Sequence, residues 1–178
     1  MALKGRRGHK IWFLLIVICF ASIVMLTSSP AFCSQEQNAW GPRIRELAPD
    51  FVLKDMDGKE IRLADYRGKV VLLAFSTTWC PHCKKMPPYL NELLGTYGDR
   101  GLVMFNIDIQ EPLKKVQAFA NKYDIKYGVL LDEKATAAKA YNVRGVPSLI
   151  LVDKEGTIVC RQCQSVDVLL GKLLPAAN

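Results

Sequence analysis

Residues 70–83 read Val70-Val71-Leu72-Leu73-Ala74-Phe75-Ser76-Thr77-Thr78-Trp79-Cys80-Pro81-His82-Cys83. The first six form an unbroken apolar run, as a strand covered on both faces requires. Two cysteines three residues apart then open a stretch, residues 81–97, that reads as a helix kinked at Pro87-Pro88. A helix N-terminus offers free N–H donors and a partial positive charge. Thiolate is the nucleophile in sulfur exchange, so this position raises the reactive fraction of a cysteine. Cys80 is expected at the cap. Pro81 follows in the first turn, where its missing N–H costs nothing. Cys83, one turn on, is close enough to pair. A protonated His82 adds positive charge beside the sulfurs and makes their disulfide more oxidising. A C-x-x-C pair alone also fits a static disulfide or half of a zinc site. The strand before it and the helix after it favour a redox dithiol.

Outward from this stretch, strands and helices alternate. Residues 48–53 and 60–63 flank Asp57-Gly58, a strong hairpin turn signal. Tyr66-Arg67-Gly68-Lys69 forms a second turn. Residues 102–109, 127–131, 148–152 and 157–160 read as strands. Residues 112–123, 135–141 and 166–174 read as helices. Leu113, Phe105 and Phe119 are expected in the core. The alternation implies a layered α/β sheet, and right-handed crossovers place helices on both faces.

The strand 70–75, Trp79–Cys83 and the later Gly145-Val146-Pro147 resemble the thioredoxin fold. Ala48-Pro49-Asp50-Phe51, Asp57-Gly58, Tyr66-Arg67-Gly68-Lys69 and Cys83-Lys84-Lys85 resemble its extracytoplasmic ResA/TlpA branch. The likeness runs from about residue 47 to 174. It implies a thioredoxin-like α/β fold, a central mixed β-sheet flanked by helices with an extra N-terminal β-hairpin. It implies thiol–disulfide exchange, often as a reductant in cytochrome c maturation. Expected partners are protein substrates with disulfides or dithiols, apocytochrome c among them, and a membrane electron-donor or acceptor protein. The resemblance also implies that Pro147 is cis and faces the dithiol, presenting the backbone of Val146 to an incoming peptide. An ordinary trans turn is the alternative for Pro147. Trp79 beside Cys80 is expected to shape the substrate surface. No cofactor is called for.

Two departures stand out. Thioredoxins carry a buried acid six residues before the first active cysteine, and here that position is Ala74. ResA-type reductants often carry a glutamate three residues after the second, and here that is Met86. Both acids serve as proton relays, so Cys83 is left to water, the substrate or His82. The architecture points to a reductase, whereas Pro81-His82 matches the oxidising DsbA-type motif. In the expected mechanism Cys80 attacks and Cys83 resolves.

Residues 1–33 have the layout of a signal peptide or membrane anchor. Met1 to Lys10 is basic, residues 11–26 are almost wholly apolar, and small and helix-breaking residues follow. Cleavage before Ser34 or before Phe32, retention as an anchor, or lipidation at Cys33 are the alternatives. Each puts the domain outside the cytoplasm, secreted or held at the outer face of the inner membrane by residues 11–26. Cysteines can pair there. Residues 34–46 read as a linker with Trp40 unassigned, and 47–178 as the thioredoxin-like domain.

The second pair is Cys160-Arg161-Gln162-Cys163. Residues three apart on a regular strand lie too far apart to bridge, so a disulfide there needs a bulge or turn. A structural disulfide, a second redox pair relaying electrons to Cys80 and Cys83, and a metal site are the readings.

The 178 residues carry a formal charge of +7 and are 50% hydrophobic. That composition excludes a disordered chain. Lys4, Arg6, Arg7 and Lys10 account for four of 24 basic residues, which leaves 20 against 17 acidic ones. So small a balance argues against a nucleic-acid partner. His82 is the one histidine beyond the N-terminal run, so a multi-histidine metal site is excluded. Thr77-Thr78-Trp79-Cys80 contains the T-x-x-C of a thiol peroxidase, but Leu73 stands where its proline belongs. A non-enzymatic metal-binding module using both C-x-x-C pairs is the other alternative.

Overall fold

The computed structural model describes residues 46–163 and 165–176. The N-terminal segment 1–33, with its apolar run, Cys19 and Cys33, lies outside the described residues, as does the linker up to residue 45. The strands are β1 Glu46–Leu47, β2 Val52–Asp55, β3 Glu60–Arg62, β4 Val70–Ser76, β5 Leu102–Ile109, β6 Gly128–Asp132, β7 Ser148–Val152 and β8 Thr157–Arg161. The helices are α1 Met86–Tyr97, α2 Leu113–Lys122, α3 Thr136–Ala140 and α4 Val166–Leu173.

All eight strands join one sheet in the order β1-β8-β7-β4-β5-β6-β2-β3. Strands β4, β5 and β6 are parallel, while β7 runs antiparallel beside β4 and β8 antiparallel beside β7. The β2–β3 hairpin joins the β6 side, antiparallel. Its turn is built by Asp55, whose carboxylate accepts the N–H groups of Asp57 and Lys59. Gly58 takes a φ of 83°, open to a residue without Cβ. Glu46, read as linker, instead forms β1 with Leu47 against β8, and Arg161 anchors it by an ion pair at 3.1 Å.

Strand β4 is buried along its whole length. Its side chains alternate between two apolar layers. Val71, Leu73 and Phe75 face Tyr141, Phe51 and the alanines of α3. Val70, Leu72 and Ala74 face Leu90 and Leu93 of α1 and Val166 and Leu170 of α4. Phe105 and Phe119 are in the core as expected, but Leu113 is 41% exposed. The buried stripe of α2 begins one turn later, at Val116.

The helix after the cysteines differs from its expected form. Residues Cys83–Lys85 make a tight 3-10 turn, and the α-helix begins at Met86. Pro87 and Pro88 have no N–H to give the carbonyls of Cys83 and Lys84. Met86 donates to the Cys83 carbonyl instead. The prolines therefore set where the helix starts and do not kink its interior.

Candidate functional site

The parallel strands β4 and β5 finish side by side, with Ser76 opposite Asp108. From there Thr77-Thr78-Trp79 carries the chain to Cys80. The Cys80 N–H donates to the Thr77 carbonyl at 3.4 Å, and the Lys84 N–H donates to the Cys80 carbonyl at 3.2 Å. These bonds curl the segment so that the Cys83 N–H donates to Cys80 Sγ at 3.4 Å. Both thiols are free. Cys80 is 5% and Cys83 2% exposed, while Trp79 is 67% exposed. Pro81 and His82 are exposed too. Cys80 is thus covered, but flanked by surface residues, and Cys83 lies inside.

The two sulfurs differ electrostatically. Burial works to raise the pKa of Cys80. Hydrogen bonds from Cys83, the backbone of His82 and the charge of Lys84 outweigh it, and the net shift is downward. Cys83 is pushed up to about 12, first by burial, with the Thr77 backbone opposing and the charges of Cys80 and Asp108 adding. One sulfur is shifted toward the thiolate and the other toward the thiol, which is the division of labour exchange needs. The cation that acts on Cys80 is Lys84.

The Val146–Pro147 peptide is cis. It brings the Val146 carbonyl to 3.6 Å from Cys80 Sγ, where the neutral thiol donates to it. The fold thus joins two motifs 66 positions apart. The hydroxyl of Thr77 is buried without a hydrogen-bond partner among the described residues, so it gives Cys80 none of the support a T-x-x-C peroxidase reading asks of it.

Two carboxylates beside the dithiol are missed by sequence reading. Glu111 accepts from both the backbone N–H and the hydroxyl of Thr78, pinning the loop that leads to Cys80. Asp108 is 1% exposed. Its Oδ2 accepts from Asn106, whose amide oxygen accepts from Ser76 at 2.9 Å. Burial first, and Glu111 next, push Asp108 up to about 8. A sequence signal existed, because polar Asn106 and Asp108 alternate at the end of an otherwise apolar strand.

Cys160 and Cys163 are disulfide-bonded, with Cα atoms 5.6 Å apart. The turn they require follows the end of β8, where Gln162 takes a φ of 52°. The Cys163 N–H donates to the Leu149 carbonyl, and both cysteines pack in the apolar layer beneath α1 and α4. Between them Arg161 donates to the Tyr141 carbonyl at 2.7 Å. Among the described residues no group of three or more His, Cys, Asp or Glu could hold a metal, and no helix is long and apolar enough to cross a membrane.

Comparison with known proteins agrees with this geometry. Residues 44–161 match the AhpC/TSA family model. The thiol-disulfide oxidoreductase ResA of Bacillus cereus is 32% identical over 154 residues, covering 86% of this chain and 87% of the relative. ResA of Geobacillus thermodenitrificans is 40% identical over 115 residues, 65% of this chain and 66% of its own. A thiol:disulfide interchange protein from Bacteroides sp. superposes with a TM-score of 0.67 at 25% identity, covering 75% of this chain and 91% of its own. The thioredoxin domain of a thiol-disulfide oxidoreductase from Bacteroides vulgatus shares the fold, with a TM-score of 0.69 at 23% identity over 75% of this chain and 99% of its own. With its thioredoxin-like sheet and its paired thiols under a cis-proline loop, the chain belongs to the ResA-type thiol–disulfide oxidoreductases of the AhpC/TSA family.

Proposed function

We propose that Cys80-Pro81-His82-Cys83 exchanges disulfides with protein substrates outside the cytoplasm, in the reducing direction, with apocytochrome c as a substrate. Cys80 thiolate attacks a substrate disulfide. One substrate sulfur leaves as a thiol and the other stays bonded to Cys80. Cys83 loses its proton, attacks Cys80 Sγ and releases the second substrate thiol, leaving a Cys80–Cys83 disulfide. Two electrons pass to the substrate, and a membrane donor protein returns them.

The observation that carries this reading is the Cys83 N–H aimed at Cys80 Sγ, beside the Val146 carbonyl. The reducing direction is supported by the resemblance to the ResA/TlpA branch. The split between the sulfurs fixes which of them attacks and which resolves. The basic and then apolar layout of residues 1–33 supports export, with residues 11–26 as the anchor if uncleaved and 34–45 as the tether to the domain.

Replacing Cys83 by Ala is expected to trap substrate covalently on Cys80, and Cys80→Ala to abolish exchange. Turnover retained by Cys80→Ala overturns the assignment. A redox titration of the pair is expected to give a potential on the thioredoxin side of the glutathione couple. A DsbA-like potential would reverse the direction.

A further inference from the structure

We propose that Asp108, with Glu111 beside it, is the general base that takes the proton of Cys83 when the mixed disulfide resolves. The inference rests on Cys80 attacking first and Cys83 resolving.

Ala74 lies on the α1 side of β4, in the same apolar layer as Met86. Neither residue can accept a proton. The register pairs Ala74 with Asn106 and Ser76 with Asp108. Side chains two apart on a strand share a face, so Ser76, Asn106 and Asp108 line the α1 side just where the chain turns into the cysteine loop. The Ser76–Asn106–Asp108 hydrogen bonds confirm that these side chains meet. A carboxyl therefore stands on the adjoining strand, two residues nearer the loop than Ala74, and its charge acts on Cys83.

Asp108 Oδ1 is buried with no hydrogen-bond partner as an acceptor. Yet the carboxyl of Glu111, three residues on, lies close enough to act on that of Asp108. Two buried carboxyls side by side disfavour double ionisation, so one of them tends to hold a proton. Placed on Oδ1, that proton turns an orphaned acceptor into a donor. Asp108 is thus built to exist in two forms, a carboxylic acid beside Glu111 and a carboxylate free to take a proton. Asp108 is faced by Glu111 from the loop after β5, by Tyr127 before β6, by Cys83 from the α1 side, and by Asn106 on its own strand. None of these is a cation, and the Asn106 amide alone favours the ionised form, against burial and Glu111. A side-chain base works best when its pKa lies near the operating pH, and the value of about 8 meets that condition.

In the step itself the Cys83 S–H bond breaks and its proton passes to the Asp108 carboxylate. The Cys83 sulfur bonds to Cys80 Sγ, and the substrate sulfur leaves with the electron pair of the broken S–S bond. Asp108 then returns the proton to solvent or to the departing sulfur.

The test follows the full chain, with Cys19 and Cys33 replaced by Ser, reacting with 5,5′-dithiobis(2-nitrobenzoate). The first thionitrobenzoate released reports attack by Cys80, and the second reports attack by Cys83. This leaving group departs as an anion and needs no proton. Asp108→Asn keeps the shape. It is expected to slow the second release about tenfold or more and to change the first less than about twofold. In the parent the second release should climb with pH and bend toward a plateau near 8, whereas Asp108→Asn should climb without a bend. An unchanged second release overturns the proposal, as does equal slowing of both. A parent profile without the bend overturns it too, even if the variant fails to fold. Loss of the first release in the parent would instead overturn the exchange reading itself.

Discussion

The backbone N–H of Cys83 points at the sulfur of Cys80 across 3.4 Å, so the residue that resolves the mixed disulfide also readies the one that forms it. The Cys83 thiol adds a second hydrogen bond, and Lys84 adds charge. Alkylation mapped by mass spectrometry over a pH series should therefore modify Cys80 well below the pH at which Cys83 reacts. Cys83→Ala removes the thiol but keeps the N–H, so it should raise the Cys80 midpoint part of the way to an ordinary thiol. Lys84→Glu should raise it too. Alkylation of Cys83 ahead of Cys80 would contradict this ordering.

Asp108 also marks the stability of the fold. Its carboxyl titrates from 3.8 when unfolded to about 8 when folded, because burial penalises the charge. The folded state therefore holds a proton that the unfolded chain releases between those values. The contribution is fully present below about pH 4 and is lost as pH rises toward 8. Within that window stability should fall by up to about 1.4 kcal/mol per pH unit from this group. Urea unfolding midpoints from pH 5 to 9 should decline for the parent, and decline less steeply for Asp108→Asn, which has no charge to bury. Parallel curves for the two proteins would contradict the assignment.

The Cys160–Cys163 bond closes a loop of four residues at the end of β8. Loop-entropy reasoning puts its contribution at roughly 2 kcal/mol. Replacing both cysteines by Ser should lower unfolding stability by about that amount and leave the exchange rate unchanged. A slower turnover at equal stability would make the pair a relay to Cys80 and Cys83.

Much of the fold is legible because the strands carry their own signals. The apolar run of β4, the Asp57-Gly58 turn and the stripe at Val116, Phe119 and Ala120 each rest on local chemistry. Cys80 and Cys83 are legible as a pair for the same reason. Asp108 is not, because its role depends on the register of β5 against β4, which no local pattern reveals. Glu111 is hidden likewise, since its partner Thr78 lies 33 residues away. The start of α1 at Met86 is a matter of which N–H groups are missing, so Pro87-Pro88 is readable as an interruption but not as a boundary. The strand at Glu46–Leu47 escapes notice because two residues make no period, and Arg161 of β8 supplies the anchor.

The paired prolines at the head of α1 have a mechanical consequence. They interrupt the ordinary ladder between the cysteine turn and the twelve-residue helix, where the Met86 N–H donates to the Cys83 carbonyl across the break. Sulfur–sulfur bond making and breaking can then be absorbed within one turn of backbone.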